Sequence, residues 1–375
     1  MEQPRSIQPQ YSAHYISGTH WDREWYRPLQ EFRFLLVQLV DQLLDLMETS
    51  SDFRYFHLDG QTCVLADYLE VRPEQRERLQ GLISAGRILI GPWFTMPDLF
   101  CPGDDEALVR NLLLGRTIAH EWRVEPMGVA YTCDMFGHPS QMPQIYRGFG
   151  LPYCVLGRGT NEHSTPAFFT WEASDGTRVF CFKLQDHMGY GAFVGSRQVL
   201  EKAADSYAPG VEERAKESMR QYVTHEMGRA NANVLCLMDA LDHMPPASDA
   251  ARYLRLLHEA MPGVRATHST LPAFFAEARA AVADEAIPVK QRELREPGKN
   301  RAPYLWLIPN CVSARVRMKQ ANDACLALLQ RWVEPWLGIA NLPTALGGAG
   351  AGIPERFLRL AWEQVLPGAS QDLGG

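Results

Sequence analysis

Four short polar clusters hold the residues of this sequence best suited to chemistry. The first, Gly18 to Tyr26, reads GTHWDREWY. His20 and Asp22 stand two residues apart, so in an extended segment their side chains point the same way. An imidazole nitrogen and a carboxylate oxygen on one side suit zinc. A helix-capping Asp22 beside an incidental His20 is the plainer reading of so short a motif. Trp25 could stack on a sugar ring or pack in a core. The second cluster, GPWFTMPD from Gly91 to Asp98, offers Trp93 and Asp98, the latter as a partner for substrate hydroxyls or as the end of a turn. The third, TCDMFGHPSQ from Thr132 to Gln141, places Asp134 just before a turn forced by Gly137 and Pro139. The fourth, MDALDHMPP from Met238 to Pro246, supplies Asp242 and His243.

Taken singly, each aspartate is as well explained by capping as by catalysis. Together they offer what glycoside hydrolysis needs: one carboxylate to attack the anomeric carbon and another to protonate the departing oxygen. A metal ion could orient the sugar. Competing chemistries lack their signatures, since the chain has no GxGxxG after a strand, no GxxxxGK[ST], no GxSxG elbow and no HExxH.

The elements that must position these clusters read as an α/β domain with mainly parallel strands. His14 to Ser17, Phe53 to Leu58, Ile88 to Ile90, Gly128 to Tyr131 and Val234 to Met238 read as strands, the last being the final clear one. Phe168 to Glu172 and Val179 to Leu184 form a hairpin about Ser174-Asp175-Gly176. Helices are expected at Leu29 to Met47, where Phe32, Leu36, Leu39, Leu43 and Met47 recur at helical spacing, and at Pro73 to Ser84, opened by proline. Others fall at Ala107 to Trp122, Ala250 to Met261 and Leu271 to Val282. The clusters follow strands, the side on which α/β sheets bind ligands. The alternation stops near residue 287. Pro288 to Pro309 is irregular, Val312 to Trp336 reads as one long helix, and Ala345 to Gly352 separates it from a short helix at Pro354 to Val365. A boundary near residue 286 therefore divides a catalytic domain, 1–286, from a helical module, 287–375.

The net charge of −7 and the absence of a lysine and arginine run argue against a nucleic-acid binder. Met1 to Gln10 is polar and lacks the apolar core of a secretory signal, and no stretch reaches transmembrane length. Eight cysteines without a CxxC pair read as reduced core residues, which points to a cytoplasmic protein.

Read in order, these segments resemble the family 38 glycoside hydrolases, the zinc-dependent retaining α-mannosidases, and most closely their bacterial-type members. The resemblance runs from about Ala13 to Leu366. It also takes in LDGQT at Leu58 to Thr62, VRNLLLG at Val109 to Gly115, SARVRMKQAN at Ser313 to Asn322 and RLAWEQVL at Arg359 to Leu366. It implies an irregular (β/α) barrel followed by the start of a helical bundle. It further implies zinc held by His20, Asp22 and Asp134, with Asp134 as nucleophile and Asp242 as acid/base. Trp25 and Phe136 would line the mannose subsite, with Trp93, Asp98 and His243 as further substrate contacts. The implied substrate is an α-mannoside oligosaccharide or a small mannosyl conjugate such as mannosylglycerate. A homo-oligomer is a further expectation, which the resemblance does not supply.

Two departures stand out. Cys133 stands where bacterial members usually carry proline. PGASQDLGG, from Pro367 to the end, puts Gln371 where the family's fourth zinc ligand, a histidine, belongs. A weakly active or inactive protein that retains sugar binding is therefore the alternative expectation. A zinc-dependent carbohydrate deacetylase is a third reading, disfavoured by the Asp134 and Asp242 segments.

Overall fold

The computed structural model describes residues 10–99, 106–208, 210–297, 307–308, 310–342 and 355–369. Its first strand, β1 (Tyr11–Thr19), is buried from Ala13 onward and forms the axis of one sheet. β8 (Val234–Asp239), buried along its whole length, runs parallel to one edge of β1, with Ser12 opposite Val234 and Ser17 opposite Asp239. The other edge is shared: β9 (Val264–His268) pairs with Tyr11 to Tyr15, and β2 (Phe56–Leu58) with Gly18 and Thr19. The two-residue β3 (Ile88–Leu89) extends β2. All these pairings are parallel, so the exits of β1, β2, β3 and β8 gather at one end.

A second sheet runs in the order β10-β6-β7-β5-β4. It contains β4 (Val129–Thr132), β5 (Tyr153–Leu156), β6 (Phe168–Glu172), β7 (Arg178–Lys183) and β10 (Val289–Gln291). β6 and β7 are the expected antiparallel hairpin, and the remaining pairs are parallel. The α/β character with parallel strands is thus as expected, but the described strands form two five-stranded sheets rather than one closed barrel. A single parallel bridge, Gln61 to Trp93, carries the β2–β3 pairing past the very short β3, and the described strands show no ladder between β3 and β4. β5, β9 and β10 went unread in the sequence, and Val234 to Met238 is not the last strand. β9 shows why: it alternates buried and exposed residues, VRATH, and lacks an apolar run.

Helices cover the sheets. α1 (Leu29–Thr49) buries Phe32, Leu36, Leu39, Val40, Leu43, Leu44 and Met47 along one stripe. α2 (Cys63–Leu69), α3 (Arg76–Ser84), α4 (Glu106–Glu121) and α5 (Met142–Gly148) follow the next strands. α6 (Val194–Glu201), α7 (Val211–Arg229), α8 (Ala250–Ala260) and α9 (Leu271–Ala281) complete the first 286 residues. α8 is capped by Asp249, whose side chain accepts the Arg252 amide, and α9 by Thr270.

The expected helix from Val312 to Trp336 is broken. A short helix at Asn310–Ser313 ends before Arg315, which has a left-handed backbone (φ +49°). A second helix covers Val316–Leu328, a π-helical turn takes Leu329–Val333, and a third covers Glu334–Asn341. The helix Glu355–Val365 follows. This tail docks on α4: Arg110 grips Glu334 with two bonds of 2.7 Å and stacks over Trp362, whose indole nitrogen also reaches Glu334 at 2.9 Å. A bundle of these helices is not evident among the described residues, and Gln371 lies outside them.

Candidate active site

Six strand exits converge on one polar centre. β1 delivers His20 and Asp22, β2 delivers Asp59, β4 delivers Cys133 and Asp134, β5 Arg158, β7 Asp186, and β8 Asp242. The β1 and β8 exits are tied by a parallel bridge between His20 and Asp242, with the His243 amide donating to the His20 carbonyl at 2.9 Å. Arg197 holds the β8 loop at both ends, donating to Asp239 at 3.1 Å and to the Pro245 carbonyl at 2.9 Å. The β1 loop is pinned by Arg23, which donates to Asp67 of α2 through bonds of 2.6 and 2.7 Å.

His20 is buried. Its Nε2 lies 3.4 Å from Asp22 Oδ1 and 3.9 Å from Asp134 Oδ2. Its Nδ1 faces the other way, 3.0 Å from Asp59 Oδ2. Burial disfavours charge on His20, but Asp59, Tyr190 and Asp22 outweigh it and hold the imidazole pKa well above its ordinary value. Burial also raises Asp22, yet His20 and His243 keep it below the usual carboxylate range. Asp134 is raised by burial, against the pull of Arg158 and His20. Asp22, Asp59, Asp134 and Asp242 thus gather around the His20 imidazole and the Arg158 guanidinium, with His243 against Asp22.

Asp134 is clamped by Arg158, whose Nε donates to Oδ1 at 2.8 Å and whose Nη2 reaches the same oxygen. The close approach of the β4 and β5 exits allows this. A Cβ at Gly157 would collide with the Cys133 carbonyl oxygen, so only glycine fits there. Lys183, fully buried, donates to the Gly157 carbonyl at 3.0 Å and to Asp186 at 3.0 Å, fixing the next stretch of wall. Asp134, Arg158, Asp186, Tyr190 and Asp242 line a common pocket of about 260 Å³. Asp134 is buried at its base, and Asp242 is exposed at its rim.

The expected residues are placed unequally. Trp25 and Phe136 are half-buried beside the centre, ring centroids 6.5 Å apart, with Arg158 over the Phe136 ring at 5.3 Å. Asp98 is buried, and its charge and that of Asp134 reach the thiol of Cys311, itself raised chiefly by burial. His243 braces Asp22: its Nε2 accepts the Asp22 amide at 3.2 Å, and its Nδ1 meets the Tyr26 hydroxyl at 3.0 Å. Trp93 sits deeper than the other expected contacts. It is fully buried, donates to the Tyr131 carbonyl at 2.9 Å and packs on Tyr146. Arg158, Asp59, Asp186 and Tyr190 were not singled out in the sequence.

For a metal, the chemistry of the donor set is favourable at the Nε2 edge of His20. A borderline-soft imidazole nitrogen is flanked there by two carboxylates, and its other nitrogen is already engaged by Asp59. Among the described residues, the three donors whose atoms all fall within 4.8 Å of one another are instead His20, Asp59 and Cys133, on the Nδ1 edge. That trio is already hydrogen-bonded internally, and burial pushes the Cys133 thiol up to about 12, against its becoming a thiolate ligand.

Residues 10–293 match the glycosyl hydrolases family 38 N-terminal domain. The chain belongs to this family. A relative from Halalkalibacterium halodurans, named "Putative mannosylglycerate hydrolase", is 32% identical over 337 residues, covering 86% of this chain and 35% of its own length. The crystal structure of an alpha-mannosidase from Enterococcus faecalis V583 superposes with a TM-score of 0.84 at 28% identity, covering 97% of this chain and 39% of that one. Alpha-mannosidase 2C1 of Mus musculus is 27% identical over 180 residues, 45% of this chain and 16% of the relative. The family 38 chain described here thus spans little more than a third of the bacterial relative's length.

Proposed function

We propose that this chain is the catalytic region of a metal-dependent, retaining glycoside hydrolase acting on terminal α-mannosides. The observation that carries the reading is the common pocket of Asp134 and Asp242, with Asp134 clamped by Arg158 and flanked by His20 and Asp22. Asp134 attacks the anomeric carbon while Asp242 gives its proton to the leaving oxygen. Asp242 then draws a proton from water, which releases the sugar from Asp134 with its configuration retained. Arg158 orients the Asp134 carboxylate and favours its charged form against the cost of burial. Trp25 and Phe136 supply apolar faces for the sugar ring. His20, Asp22 and Asp134 would hold zinc, which when bound orients sugar hydroxyls and draws off developing charge.

The names of the relatives favour a mannosyl conjugate or mannose-bearing oligosaccharide as substrate. Free thiols among the described cysteines fit a cytoplasmic, catabolic enzyme. No described helix is long and apolar enough to cross a membrane. Metal analysis of the purified protein beside an aryl α-mannoside assay tests the proposal. Bound zinc and mannose release that a chelator abolishes are expected. Metal-independent turnover, or none on any mannoside with zinc present, contradicts it.

A further inference from the structure

We infer that Asp59 fixes the tautomer and orientation of His20 and thereby sets the metal affinity of the centre, as a positioning residue rather than a ligand. The inference rests on the metal reading above. Asp59 is fully shielded, and its carboxylate is shared among four donors from three strand exits. His20 Nδ1 lies 3.0 and 3.2 Å from its two oxygens, and the Trp21 amide donates at 2.9 Å. Gln61 Nε2 donates at 2.8 Å and Cys133 Sγ at 3.7 Å. Gln61 is itself held, because its Oε1 accepts the Met96 amide at 2.9 Å and the Thr95 hydroxyl at 3.3 Å. The carboxylate therefore cannot turn away without breaking contacts to the loops after β1, β3 and β4.

An ionised carboxylate only accepts hydrogen bonds, so the proton it shares with His20 belongs to Nδ1. When a cation binds, Nε2, on the edge facing Asp22 and Asp134, would give up its own proton to make room for the metal, while Nδ1 keeps the proton held by Asp59. A carboxylate behind the ring also makes the imidazole a stronger donor to a cation. The backbone is bent to this end: Asp59 and Gly60 are consecutive left-handed residues, φ +50° and +66°. For a non-glycine residue that conformation costs energy, and here it swings the carboxylate beneath His20. Burying a carboxylate is costly unless its partners are all in place, and here four donors meet it.

The test is zinc affinity, measured by competition with a chromogenic chelator on protein shown to be folded by circular dichroism. Asp59→Ala should bind zinc roughly 10- to 100-fold more weakly than the parent. Asp59→Asn should lose less, because its amide oxygen still accepts from Nδ1. A merely structural role would lower the melting temperature and leave the affinity of the folded protein unchanged. A folded Asp59→Ala variant with parental zinc affinity overturns the inference. A second measurement needs no variant: long-range proton–nitrogen correlations of the zinc-loaded parent should show His20 protonated at Nδ1. Metal on Nδ1 instead would overturn the inference with the metal reading intact. A parent that takes up no zinc would refute the metal reading itself, and the inference with it.

Discussion

Asp134 and Asp242 are the same residue type in opposite settings, and their proposed roles follow from that contrast. Asp134 is buried and oriented by a guanidinium, as an attacking group must be. Asp242 stands exposed at the rim, where it can trade protons with water and with a departing alcohol. Asp242→Asn should lower kcat/KM for mannosides with alkyl leaving groups by roughly 10²- to 10⁴-fold. It should cost far less for a dinitrophenyl mannoside, which departs without protonation. Equal losses on both substrates would remove Asp242 from the acid role. The aspartates were legible in the sequence because each follows a strand next to turn residues. Arg158 was not, since it follows a strand of four residues, YCVL, too short to stand out, and its value lies in meeting Asp134 across two exits. Asp59 sat in view within LDGQT, but its function depends on His20, 39 residues away in sequence.

At the level of elements, the packing of β4 against β5 brings nucleophile and guanidinium together. Gly157→Ala would force the Cys133 carbonyl away and shift the Arg158 and Asp134 backbones. A near-complete loss of turnover is expected, with a melting temperature lowered by several degrees, since about 1 kcal/mol moves a domain of this class by roughly 2–4 °C. Unchanged kinetics in this variant would show that the close approach is dispensable. The strands also carry a pH dependence. In β2, His57 is driven down to about 4, chiefly by burial, and at the end of β9 His268 is likewise lowered to about 4. Both are neutral in the fold, whereas an unfolded histidine titrates near 6.5. Their folded values lie below the unfolded one, so their stabilisation is complete above about pH 6.5 and is lost as pH falls towards 4. Melting temperature should therefore drop across that window, and His57→Gln should flatten the slope by about one proton. An unaltered slope would mean that His57 titrates normally. The antiparallel hairpin was readable from its turn, but the break in the tail helix was only half marked: Pro335 stands just after the π-helical turn, whereas the left-handed Arg315 leaves no mark in composition.

Over the whole molecule, parallel strands in two sheets direct their chemistry to one end, while the tail helices dock on α4. Among the described residues, ten of the seventeen exposed large hydrophobics, including Trp332, Trp336, Ile339 and Phe357, lie in the tail from Val312 onward. So concentrated an apolar surface favours association. Light scattering should show concentration-dependent assembly that Trp332→Glu with Trp336→Glu reduces; a parent that stays monomeric at high concentration would contradict this. The account as a whole turns on Asp134 as the residue that takes up the sugar. The most direct measurement is mass spectrometry of the protein after incubation with a slow fluorinated mannosyl donor. A single mannosyl adduct on the peptide carrying Asp134, absent from Asp134→Asn, is predicted. An adduct on any other residue, or turnover of the donor with the configuration inverted, would contradict it.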